Sequence, residues 1–162
     1  MYGRADMNEF REGRRLPANG VIETPDGRTI LFCTACTKDR VAWLTDKGVA
    51  RALSDLWRGQ ARAWIVGYWL LMPDHVHFFC TPSCDGRHSV EQWAEYWKDR
   101  LAKVLRIGSG KWQRGIFHHR IRSEEQYAEK WEYVRLNPVR AGFVARAEEW
   151  KWQGEIERIG WR

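Results

Sequence analysis

Two histidines stand one residue apart in "LMPDHVHFFC", the stretch from Leu71 to Cys80. Val76, Phe78, Phe79 and Cys80 make this an apolar, strand-like run. Side chains two apart on a strand share a face, so His75 and His77 point the same way beside Phe79. At a rise of roughly 3.3 Å per residue their Cα atoms lie about 6.5–7 Å apart. Two imidazoles at that spacing can lean onto one metal ion, and a tight site needs a third ligand from elsewhere. A pair of half-exposed sheet histidines has the same pattern, so the spacing by itself leaves both readings open.

A second set of candidates lies further along. Tyr127, Trp131 and Val134 form an apolar stripe at helical spacing. At 3.6 residues per turn, Tyr133 falls about 120° from Tyr127, beside the stripe rather than in it. Asn137 follows four residues later on the same flank. A phenol and an amide would project together there, as a nucleophile and a neutral oxygen ligand could. An amphipathic tyrosine at a core boundary has the same placement.

The elements that must carry these groups follow from pattern and punctuation. Residues 1–28 hold Gly, Pro and mixed charge without periodicity and read as an irregular arm. Thr29–Cys36 is a first strand, and Asp46–Gln60 a helix with Val49, Leu53, Leu56 and Trp57 on one face. Arg62–Leu71 alternates Trp64, Val66, Tyr68 and Leu70 as a second strand. Met72-Pro73-Asp74 turns the chain into a third, His75–Thr81. Ser89 with Gln92 opens a second helix, whose buried stripe is Val90, Trp93, Trp97, Leu101, Val104 and Leu105 and which Gly108 ends. Gly115–Arg122 is a fourth strand; Ser123 with Gln126 opens a third helix that stops at Asn137-Pro138. The order βαββαβ with an added C-terminal helix predicts an α+β, ferredoxin-like (RRM-like) antiparallel sheet with helices on one face.

Composition narrows the partner. The 162 residues carry a net charge of +6 and an isoelectric point near 9.4, which favours a polyanion. Seven Lys and Arg (Arg100, Lys103, Arg106, Lys111, Arg114, Arg120, Arg122) fall between positions 100 and 122 without one acid. Such a run is either a solvated face or a phosphate-tracking surface, and the missing acids favour the latter. The arm around Arg14 and Arg15 is a second basic candidate. Eleven tryptophans are enough to build core and still leave faces for bases. Cys33-x-x-Cys36 and Cys80-x-x-x-Cys84 invite a zinc site, but strand residues three apart face oppositely, so Cys33 and Cys36 would not converge. No run approaches a membrane span and no leader-like segment opens the chain, so no membrane role and a cytoplasmic location are expected.

Three blocks, "LMPDHVHFFC", "WQRGIFHHRIRSEEQY" and "YVRLNPVRAGFV", resemble those of the single-tyrosine HUH transposases (His, a hydrophobic residue, His), and most closely the REP-associated tyrosine transposases. The likeness runs from about Thr29 to Val144, and Tyr-x-x-x-Asn-Pro-x-Arg-Ala-Gly after His-Val-His is its most specific part. "GRRLP" at Gly13–Pro17 is similar to the family's N-terminal arm. The resemblance implies one catalytic domain over residues 29–162 that nicks single-stranded DNA at hairpin elements and transfers the strand. It implies that His75, His77 and Asn137 hold a divalent ion, Mg²⁺ or else Mn²⁺, and that Tyr133 is the nucleophile, forming a 5′-phosphotyrosine. His119 matches a recurrent histidine of the second block. The turn reads Pro-Asp-His where the family more often has Pro-Asn-His, and His118 stands where an Asp is common. A lone enzyme and a homodimer are both compatible with the sequence. The rival from another class is a non-catalytic RRM-like nucleic-acid-binding module, which has no need of His-x-His with a helix tyrosine.

Overall fold

The computed structural model describes residues 29–83 and 88–159. Arg14, Arg15 and Cys84 therefore lie outside the described residues. The chain runs β1 (Ile30–Cys36), α1 (Val49–Arg58), β2 (Trp64–Met72), β3 (His75–Pro82), α2 (Val90–Leu105), β4 (Phe117–Ile121), α3 (Glu124–Arg135), α4 (Asn137–Arg140) and β5 (Gln153–Glu155). The strands form one antiparallel sheet in the order β4-β1-β3-β2-β5, an α+β architecture. The four expected strands and three main helices are present. Strand β5 was not expected: three residues of Gln-Gly-Glu carry too little pattern to read.

Strand β2 departs from the simple alternation expected of it. Its pairing with β3 shifts between Val66 and Trp69, and one extra residue turns every later side chain over. Trp64 and Val66 thus share a face with Trp69 and Leu71, while Leu70 and Met72 join the opposite face. Gly67 sits at the irregularity, where a Cβ would come within 2.5 Å of the Ile159 side chain, so a close approach excludes anything larger.

The expectation of helices on one face is corrected by the same division. Helices α1 and α2 cover one face through Leu53, Trp57, Trp93, Trp97 and Leu101, packed on Leu31, Cys33, Val76 and Phe78. Trp57 meets Trp97 edge-on at 5.6 Å and Phe78 at 5.1 Å, the tilted geometry aromatic quadrupoles favour. The other face is covered too. Ile30, Phe32, Leu70, Met72 and Phe79 pack beneath α3 and Trp150, with Tyr127 and Trp131 against them. Sequence periodicity shows that a helix has an apolar side but not which sheet face receives it.

Local signals explain the helix ends. Ser89 and Gln92 form the reciprocal capping box expected of them, whereas Val104, expected in the buried stripe of that helix, is exposed in its last turn. Ser123 accepts from Gln126 N at 3.1 Å, but the Gln126 amide oxygen accepts from Arg122 N instead of closing a box. The third helix ends at Arg135, and Asn137-Pro138 opens the further turn α4 rather than stopping the helical path.

Candidate metal and nucleophile site

His75 and His77 project from β3 onto the face covered by α3, with ring centroids 4.7 Å apart and planes at 79°. Both are buried. Each ring is fixed at Nδ1. His77 Nδ1 meets Thr34 Oγ1 at 2.8 Å, across a register that sets Thr34 opposite His77. His75 Nδ1–H donates to Asp74 Oδ1 at 2.7 Å, with Arg40 Nη2 3.3 Å from the same nitrogen. Arg40 also donates through Nε to Asp74 Oδ2 at 2.9 Å and through Nη1 to Cys36 Sγ at 3.1 Å.

The electrostatics favour a neutral His77 ring. Burial pushes His77 well below its ordinary value, helped by the charges of His75, Lys130, Arg40 and Arg140. A metal ligand must be deprotonated, so this shift suits the role. Burial alone would raise the Asp74 carboxyl, but the hydrogen bond from His75 and the charges of His75 and Arg40 hold it below its usual value.

Tyr133 stands on α3, which covers this face, and Asn137 opens α4 directly after it. Tyr133 is 40% exposed, beside Val134, which is buried; this is the flank position expected of it. A chain of contacts runs from it to the histidines. Lys130 Nζ lies 5.8 Å from the Tyr133 ring and 5.4 Å from that of Phe32, and Phe32 stacks on His77 at 5.4 Å. Arg140 stands over the Tyr133 ring at 4.1 Å and donates to the Asn137 amide oxygen, which is buried. The other described tyrosines are placed differently. Tyr68 stacks on Trp131, Tyr96 projects from α2, and burial raises the Tyr127 hydroxyl well above its ordinary value.

The donor set fits a divalent ion through neutral ligands. Among the described residues no group of three or more His, Cys, Asp and Glu is arranged to hold a metal, while the two imidazoles and the Asn137 amide oxygen are neutral donors of a kind that divalent ions accept. Cys33 faces the helix-covered core with its Sγ 3.6 Å from Cys80 Sγ, whereas Cys36 Sγ accepts from Arg40. The two thiols of the Cys33-x-x-Cys36 motif do not converge.

The basic run is dispersed over several elements. Arg100 and Lys103 lie on α2, across the sheet from the histidines, with Arg100 donating to Gln60 and Lys103 to Asp99. Lys111 and Arg114 stand exposed in the connection to β4. Arg120 alternates with His119 and so belongs to the face covered by α1 and α2, and Arg122 follows the strand. His119 lies 5.3 Å from Phe32, on the histidine face. His118 points away and meets Glu91 Oε1 at 2.7 Å.

Arg40, Asp74, Lys130 and Arg140 are additions that sequence reasoning missed. Arg140 stands inside the Asn-Pro-x-Arg motif and Lys130 three residues before Tyr133, so spacing could have flagged both. Nothing in the sequence links Arg40 to a turn 34 residues away. The sheet aromatics Phe32 and Phe79 are buried under α3, so this face offers no open stacking surface of the RNA-recognition kind.

No protein-family model matches the chain. A REP-associated tyrosine transposase of Escherichia coli (strain K12) is 28% identical over 90 residues, 55% of this chain and 53% of that protein. A putative REP-associated tyrosine transposase of Haemophilus influenzae is 27% identical over 94 residues, covering 49% and 52%. The chain thus spans about half the length of the curated relatives it matches. A solved REP-associated tyrosine transposase, bound to a REP hairpin, superposes with a TM-score of 0.66 at 18% identity, over 91% of this chain and 98% of that one. Among the described residues no helix is long and apolar enough to cross a membrane. The likeness read in the three sequence blocks is borne out: in sequence over about half its length, and in fold over 91% of it, the chain is similar to the REP-associated tyrosine transposases.

Proposed function

We propose that the protein is a metal-dependent single-strand DNA endonuclease and strand transferase that acts at hairpin elements. The observation that carries this reading is the placement of Tyr133 on the histidine face, joined to His77 through Lys130 and Phe32. The order β4-β1-β3-β2 supports a ferredoxin-like core, with α3 as the added helix that presents the tyrosine.

His75 and His77 would hold a divalent ion, Mg²⁺ or Mn²⁺, with the Asn137 amide oxygen as third ligand. When bound, the ion polarises the scissile phosphate. Thr34 and Asp74 fix the two Nδ1 atoms, which assigns ligation to the opposite nitrogens. Arg140 orients both Asn137 and the Tyr133 ring, and Lys130 and Arg140 place positive charge beside the ring where a negatively charged phosphate would enter. Tyr133 Oη attacks phosphorus as the P–O3′ bond breaks. The tyrosine loses its proton, the departing 3′-oxygen gains one, and a 5′-phosphotyrosine remains. That bond retains the energy for rejoining, so no nucleotide cofactor enters. The partner is single-stranded or hairpin DNA, and a homodimer is compatible with the reading.

Incubation with a labelled hairpin flanked by single strands, followed by a denaturing gel, tests it. Wild type gives a covalent adduct, and Tyr133→Phe gives none while binding DNA nearly as well, because only the attacking oxygen is lost. An adduct at wild-type level in the variant moves the nucleophile to another tyrosine.

A further inference from the structure

A cavity of about 660 Å³ opens at the end of the sheet where β1 stops and β3 begins. Its size falls in the range of small-ligand sites, roughly 300–1,000 Å³. Three lysines from separate segments converge on it: Lys38 after β1, Lys47 before α1 and Lys111 after α2. Asp39, Asp46 and the Trp43 ring complete the polar and aromatic lining. All three lysines are exposed, and among the described residues no ion pair engages their ammonium groups.

The wall is built, not incidental. Asp39 and Arg40 adopt φ of 53° and 58°, a left-handed pair that side chains other than glycine rarely take and that must be held by its surroundings. Lys38 N donates to Lys111 O at 2.9 Å, bringing two of the lysines side by side. Trp43 N and Leu44 N both donate to Pro73 O, each at 2.9 Å, and Thr37 N to Asp74 O at 2.9 Å. The segment is therefore sewn to the turn that carries His75. Its inward side chain, Arg40, holds Asp74, while Lys38 and Asp39 line the cavity.

The chemistry of the lining selects a ligand. Lysines attract a phosphate, an indole wall takes a flat ring, and carboxylates accept from the amino group of a base. The two aspartates also disfavour a bare anion. We infer that this cavity is a subsite for one unpaired nucleotide of the DNA strand, with an amino-bearing base. Lys38, Lys47 and Lys111 hold its phosphate, Trp43 its ring face, and Asp39 and Asp46 its amino edge. The inference rests on the reading of the protein as a single-strand DNA enzyme. It adds where a flanking nucleotide is held, on the segment that also fixes the histidine turn.

Two measurements test it on the whole protein. Titration of ¹⁵N-labelled protein with deoxycytidine monophosphate should move the Trp43 indole N–H resonance, identified by its loss in Trp43→Phe. Deoxythymidine monophosphate, which lacks the amino group, should move it far less, and inorganic phosphate least. An equal response to all three would reduce the cavity to an anion site and overturn the proposal. The double variant Lys38→Glu/Lys47→Glu, at two exposed positions, should bind a hairpin with a single-stranded flank roughly tenfold more weakly than wild type. It should bind the same hairpin without the flank as wild type does. A flanked hairpin bound equally by both proteins overturns the proposal while leaving the catalytic reading intact. Failure of wild type to form any adduct with Tyr133 present overturns the catalytic reading instead, and the indole shift then decides the cavity separately.

Discussion

Arg40 Nε and Asp74 Oδ2 meet at 2.9 Å, joining the turn after β1 to the turn that precedes the histidines. Asp74 is almost fully buried, and its second oxygen accepts a hydrogen bond from His75 Nδ1–H. Arg40 supplies the charge that balances the carboxylate. Arg40→Ala leaves a buried carboxylate with one partner fewer. Charge-assisted bonds of this kind contribute about 1.5–3 kcal/mol, and the partial exposure of Arg40 argues for the lower end. Urea unfolding of Arg40→Ala, Asp74→Asn and the double variant should show coupling: Arg40→Ala costs less once position 74 is neutral. Equal costs in both backgrounds would mean that the pair is not coupled.

Metal binding should depend on both rings of β3. His75→Ala and His77→Ala each remove one of the three proposed ligands, and calorimetric titration with Mn²⁺ should show affinity falling by at least tenfold. The fold should persist, because the tryptophan-rich cluster lies on the opposite face. His77→Ala should cost about 1–3 kcal/mol of stability, since Thr34 Oγ1 loses its partner in a buried place. Unchanged Mn²⁺ affinity in either variant, or full cleavage in excess EDTA, would remove the metal role.

The dispersed basic run makes a salt prediction. Replacing Lys103, Lys111 and Arg114 with Ala removes charges from α2 and from the connection to β4. The Lys103–Asp99 pair is exposed on both sides, so it does not withhold Lys103 from a phosphate. Each lost contact with a single strand should shallow the slope of log affinity against log salt by about 0.7, or roughly 2 for three. Choice of hairpin should change little, because phosphate contacts position and base contacts specify. Fluorescence anisotropy over a salt series measures this; an unaltered slope assigns the run to solvent.

His119 should make stability fall in acid. Burial, then the charges of Lys130 and His118, bring it from 6.5 down to about 4. Between those values the unfolded chain binds the proton and the folded chain does not, so stability declines as pH drops from 6.5 towards 4 and the decline then ends. Burial of His77 acts in the same direction. His119→Gln should therefore lose less stability between pH 7 and 4.5 than wild type, with part of the decline remaining. Urea midpoints at the two pH values give the comparison, and an identical decline would show that His119 does not contribute.

Sequence alone determined what depends on local spacing. A period of two puts His75 and His77 on one face, a period near 3.6 sets Tyr133 beside the stripe of Tyr127, Trp131 and Val134, and Ser89 with Gln92 starts a helix. The motif order carried the resemblance that the comparisons bear out. Contacts between distant segments are another matter, since no local pattern encodes which sheet face a helix covers. Only the tertiary structure set α3 over the histidine face, moved Tyr68 and Leu70 across the sheet through an extra residue in β2, and added β5 at its edge. It also brought Arg40 to Asp74 and gathered Lys38, Lys47 and Lys111 around one cavity. Those groups are far apart in the chain, and their meeting follows from strand register and packing, which depend on all the elements at once.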